Sequence, residues 1–142
     1  MADPDIKFYD STDTTEYTSL DYGSIDAGNE SSVITLHIWN DKGGSLGSST
    51  AENCVIRTVT STGAYTGLDL VEEKWFNSKC TSYGATTYTA IGGSTTETIG
   101  STSGTDTIPS NAYASVDTKI VVPGTASSGS RSFKTRVSYT FT

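Results

Sequence analysis

The closing stretch Ser132-Phe133-Lys134-Thr135-Arg136-Val137-Ser138-Tyr139-Thr140-Phe141 decides the fold class. Phe133, Val137, Tyr139 and Phe141 share one set of alternate positions with Thr135, while Ser132, Lys134, Arg136, Ser138 and Thr140 fill the other. Successive side chains of a strand point to opposite faces, so a period of two predicts a strand with one buried and one wet face. Working outward, short apolar runs bounded by Gly, Asn, Asp and Ser recur at residues 6–9, 19–22, 33–39, 54–60, 71–77, 86–91, 95–99 and 113–122. With the closing run at 132–141, this makes an all-β, antiparallel sandwich or barrel of about nine strands. Residues 68–76 alone compete for a short helix, because Leu68, Val71, Lys74 and Trp75 can share a helical face.

Between these runs, Asp41-Lys42-Gly43-Gly44, Thr62-Gly63, Gly92-Gly93 and Pro123-Gly124 supply the backbone freedom or preset φ that turns require. Residues 100–110 are almost entirely Ser, Thr and Gly, which predicts a long, exposed, flexible loop. A chain of 142 residues fits one domain, residues 1–142, because two halves would each be too short to bury a sufficient core. Residues 1–5 form a short polar N-terminal arm. Apolar residues make up only 34%, so the core is thin and drawn from aromatic and β-branched side chains.

A net charge of −7 argues against nucleic acid as a partner, because affinity for a phosphate backbone comes from clustered Lys and Arg. Arg131, Lys134 and Arg136 form a loose grouping, but strand alternation alone exposes Lys134 and Arg136, and the grouping carries no functional weight at this level. The start, Met1-Ala2-Asp3-Pro4-Asp5, has neither the basic opening nor the apolar run of a secretory signal. No apolar stretch is long enough to span a bilayer, so the expectation is a product that stays in the cytoplasm and has no membrane partner. In that compartment Cys54 and Cys80 are expected to be two reduced, buried thiols.

No pattern points to an enzyme, a cofactor or a metal. His37 is the single histidine and alternates away from Leu36 and Ile38, which predicts a solvent-facing or boundary position. Asp10, Asp13 and Glu16 lie close in sequence, but without the spacing of a calcium loop. Glu72 and Glu73 are adjacent, hence on opposite faces if extended, and Glu97 or Asp117 offers no evident partner for the facing carboxylates of a glycosidase. Core packing accounts for most aromatic residues. Tyr65, Tyr83 and Tyr88, beside expected turns, are the candidates for stacking a sugar ring if the domain binds carbohydrate.

Two further stretches carry a resemblance. Leu20-Asp21-Tyr22-Gly23-Ser24-Ile25-Asp26-Ala27-Gly28, followed by Ser31-Ser32-Val33-Ile34-Thr35-Leu36-His37-Ile38-Trp39-Asn40, resembles the opening of immunoglobulin-like modules: a strand, a Gly-permitted turn and a long partner strand ending in Asn. Ile120-Val121-Val122-Pro123-Gly124-Thr125-Ala126-Ser127-Ser128-Gly129-Ser130 is similar to their closing hairpin. Together with Glu73-Lys74-Trp75 and Cys80, the pattern resembles small immunoglobulin-like virion proteins of tailed phages. The resemblance implies an immunoglobulin-like β-sandwich, assembled in a host cytoplasm into a virion. It also implies a decoration or surface role on a capsid or tail lattice, with possible homo-oligomers on the particle. The alternative function is a carbohydrate-binding or adhesive module that contacts a host cell surface.

Overall fold

The computed structural model describes residues 1–142. It contains β1 Ile6–Tyr9, β2 Ile34–Asn40, β3 Glu52–Thr60, α1 Asp69–Glu72, β4 Phe76–Cys80, β5 Thr89–Ile91, β6 Glu97–Thr98, β7 Ala112–Ile120 and β8 Phe133–Thr140. The strands form two antiparallel sheets, a five-stranded one in the order β1-β2-β7-β4-β5 and a three-stranded one in the order β6-β3-β8. The all-β sandwich expected from the alternating runs is therefore the observed architecture.

The same alternation builds the core. Leu36 and Ile38 of β2, Ala114, Val116 and Ile120 of β7, Phe76 of β4 and Ile91 of β5 meet Cys54 and Ile56 of β3, and all belong to one buried cluster. Burying the Leu, Ile, Val and Phe side chains among them contributes about 1.5–3 kcal/mol each, which is how a chain with few leucines holds together. Both cysteines are buried and unbonded, and burial pushes the Cys54 thiol up to about 11, with nearby Asp106 adding to the effect. Glu97 also faces inward and links the sheets: it accepts hydrogen bonds from Ser78 Oγ at 2.6 Å and from the Cys80 N–H at 3.2 Å, both on β4. Burial raises its carboxyl above the usual range, and these two bonds offset only part of the shift.

Several expectations need correction. The strand expected at residues 71–77 begins only at Phe76, and α1 precedes it. The competing short helix expected within residues 68–76 is thus the one observed, and it buries Leu70 and Val71. Lys74, at φ 56°, then re-aims the chain into β4. Gly92 lets α1 approach the exit of β5, because a Cβ there would lie 2.1 Å from the Val71 carbonyl oxygen.

Residues 19–22 form no ladder. Leu20 and Tyr22 insert side chains into the core instead, and the Tyr22 hydroxyl lies 2.6 Å from Thr118 Oγ1. The opening is thus an extended strap rather than half of a hairpin. The expected closing hairpin is a crossover, since β7 and β8 belong to different sheets.

The stretch at 100–110 is less exposed than its composition implies. Residues 102–105 at the tip and Pro109 are exposed, while the rest of the stretch is buried or half-buried. Its arms are bound to β3 and to the residue before it: Cys54 N–H donates to the Asp106 carbonyl, and Ala51 and Ile108 exchange both backbone bonds. The N-terminal arm is likewise docked. Pro4 is buried, and the Ala2 carbonyl accepts from the Ser49 N–H at 2.7 Å.

These pieces converge on Asn40, which is fully buried. Its Nδ2 donates to the Ser49 carbonyl at 2.9 Å and to the Ile108 carbonyl at 2.8 Å, while its Oδ1 accepts from the Asp5 N–H at 3.0 Å and Ser48 Oγ at 2.9 Å. Asp41 extends the knot by accepting from Ser110 Oγ at 2.7 Å and from the Leu46 and Ser48 N–H groups. Desolvation pushes the Asp41 carboxyl up, but these hydrogen bonds outweigh it and hold the group below the ordinary carboxylate range. Asn40→Ala removes four hydrogen bonds at once, three of them buried, and is expected to lower stability by about 2–4 kcal/mol. Urea unfolding checks this; a midpoint equal to that of the parent chain contradicts the assignment.

Candidate functional site

Sheet edges expose unpaired backbone donors and acceptors, and proteins normally keep them short or covered. Here β5 and β6 are three and two residues long. The edge of β1 is covered by the turn that follows it, through the Tyr17 N–H to the Phe8 carbonyl at 2.8 Å. β8 differs: it runs for eight residues at the end of its sheet, paired to β3 on one side only.

Two clefts border the N-terminal half of β8 and lie between it and the strap. One, of about 530 Å³, is walled by residues 20–27 and 126–131, with Trp75, Ile120 and Val122 in its lining. The other, of about 430 Å³, lies between residues 17–20 and 131–135 and includes Phe8. Leu20, Arg131 and Phe133 line both.

Arg131 organises the wall. Its Nε and Nη2 donate to the two carboxylate oxygens of Asp69, each at 2.9 Å, and it also donates to the carbonyls of Ser127 and Gly129. The guanidinium sits 4.7 Å from the centre of the Trp75 ring, in cation–π range. The hydrogen bonds from Arg131 hold the Asp69 carboxyl below its usual range, against the opposing effect of desolvation.

The grouping of Arg131, Lys134 and Arg136 is therefore split. Arg131 is neutralised by Asp69, whereas Lys134 and Arg136 are exposed on the outer face of β8. Cross-strand register places Arg57 of β3 directly opposite Arg136. Arg57 donates to Tyr65 Oη at 2.7 Å, and none of Arg57, Lys134 and Arg136 has a carboxylate within ion-pair distance. Sequence reading missed Arg57 because its nearness to Arg136 follows from β3–β8 pairing, which no local pattern encodes.

The remaining candidates are dispersed. Tyr65 stands by Arg57 on the outer side of the three-stranded sheet, whereas Tyr88 lies under Lys119 and Lys79 on the outer side of the five-stranded one. Tyr83 packs partly against the core and accepts the Gly104 N–H through its carbonyl. The three tyrosines share no common face.

His37 does point away from Leu36, but it is 9% exposed rather than solvent-facing, because the 10–16 turn folds over it. Asp13, at φ 61°, places Oδ1 2.7 Å from both His37 Nδ1 and Trp39 Nε1, and the His37 ring stacks on Tyr113 at 4.2 Å. An ionised carboxylate only accepts, so Nδ1 carries the proton in this arrangement. Asp10 spends its oxygens on Thr12 and on the N–H groups of Thr14 and Thr15. No group of three or more His, Cys, Asp or Glu side chains is arranged to hold a metal ion. Glu97 faces the interior and Asp117 faces outward beside Thr35 and Lys79, so they do not confront each other across a cleft.

Comparison with protein-family models, curated proteins and solved structures returns no match for this chain.

The Arg131 clamp has a pH signature. Because the folded carboxyl of Asp69 titrates below its ordinary value of 3.8, its stabilisation is present above that pH and is lost as pH falls through the lower folded value. Asp69→Asn should lower the urea midpoint at neutral pH, with the gap to the parent chain closing in acid. A gap that stays unchanged however far the pH is lowered beneath 3.8 contradicts the ionic clamp.

Proposed function

We propose that this chain is a non-enzymatic structural module, a surface or decoration protein of a tailed-phage virion whose immunoglobulin-like sandwich docks on a capsid or tail lattice. The observation that carries this reading is the eight-residue β8 edge, left unpaired beside two clefts while the other sheet edges are short or covered. A lattice partner supplies one surface many times over, and an extended edge backed by a concave, partly apolar wall suits that kind of contact better than it suits turnover of a small substrate. The resemblance of the whole sequence pattern, with Glu73-Lys74-Trp75 and Cys80, to immunoglobulin-like virion proteins supports the choice of particle, and the free edge supports a contact made by strand addition. Assembly then takes place in the host cytoplasm.

Mass spectrometry and cryo-electron microscopy of purified particles from the source test this directly. The expected result is ordered density for this chain in many copies on shell or tail. Absence from particles overturns the reading, and a glycan array on the purified chain then becomes the informative experiment.

A further inference from the structure

We propose that the free edge of β8 accepts an extended segment of another protein in which acidic and apolar residues alternate. The inference rests on the reading above that the chain works by contact, and it specifies the partner's chemistry. Adding a strand to an exposed edge satisfies backbone groups on both sides and leaves specificity to alternate side chains. Along β8 those two sets differ sharply.

Phe133, Val137 and Tyr139 pack against the core, and near Phe133 the cleft mouth carries Phe8 and Leu20. An added strand lays every second side chain over this apolar margin. Its other side chains lie level with Lys134 and Arg136 on the outer face, next to Arg57. Like charges directly opposite each other across a ladder repel, and Arg57 and Arg136 are such a pair with no carboxylate near. A chain of net charge −7 has 16 acidic residues available to quench three cations and leaves these unquenched. Carboxylates on an incoming strand supply the missing counter-charge. The same cations disfavour pairing of two β8 edges from two copies, which would bring Lys134 and Arg136 against their own kind.

The test uses the full-length chain and a fluorescein-labelled octapeptide of alternating Glu and Val, with a Lys-Val octapeptide as its counterpart. Fluorescence anisotropy is expected to show binding of the Glu-Val peptide that weakens with added salt, with the Lys-Val peptide at least about tenfold weaker. Amide chemical shifts in a ¹⁵N-labelled sample should move along Phe133–Thr140 and stay fixed in β5. The double variant Lys134→Glu with Arg136→Glu alters two exposed side chains and should reverse the peptide preference while keeping the chain folded, with an unfolding midpoint at or above the parent's because Arg57 then faces a carboxylate. Equal binding of both peptides, shifts confined to other strands, or no binding at millimolar peptide each overturn the proposal. Concentration-dependent self-association abolished by the double variant assigns the edge to a second copy and also overturns it. Failure here with the chain present on particles refutes the edge chemistry alone, whereas peptide binding by a chain absent from particles leaves the edge standing and removes the virion.

Discussion

A buried amide with every hydrogen-bonding position filled is the constraint on which the rest of this fold depends. Asn40 ends β2 inside the protein, where an unpartnered polar group costs far more than it would at the surface. Its four partners come from the N-terminal arm, from Ser48 and Ser49, and from Ile108. Segments with little apolar content of their own are thereby fixed, including a Ser- and Thr-rich stretch that composition alone assigns to solvent. One end of the sandwich is closed by polar satisfaction rather than by hydrophobic mass, which suits a chain with only 34% apolar residues.

The opposite end is finished differently. There the strap plugs the gap between the sheets with Leu20 and Tyr22, and Tyr22 meets Phe76 and Phe133 at ring-centre distances of 5.9 and 6.4 Å. Because the strap contributes side chains and no ladder, it fills the interior without pairing the edge of β8. Arg131 then ties the end of the crossover loop to Asp69 at the start of α1. The free edge and its clefts thus follow from using a strap in place of a ninth strand, and the basic outer face follows from the β3–β8 register.

Legibility in the sequence tracked how local the determining interaction is. The alternation in 133–140 and in Ile34, Leu36 and Ile38 gave both the strand and its inward face, because a period of two is a property of the chain itself, whereas Phe141, expected on that face, lies past the end of β8 and is exposed. The helical face of Leu68, Val71, Lys74 and Trp75 competed with a strand reading of 71–77, and the helix prevails only over Asp69–Glu72. The strap at 19–22 has the alternation of a strand, but pairing needs a partner, and alternation specifies faces, not partners. Asn40 was visible only as the end of a run; its role depends on residues up to 68 positions away. The cations beside β8 were legible as Lys134 and Arg136, while Arg57 became their neighbour only through pairing.

Hydrogen exchange of the isolated chain, read amide by amide, tests the central claim that β8 is an open edge. Antiparallel pairing to one neighbour protects alternate amides, so Phe133–Thr140 should show slow and fast exchange in turn, while Val116–Thr118 of β7, paired to both β2 and β4, is slow throughout. Uniformly slow exchange along β8 would mean that its outer edge is already covered, and would contradict the account.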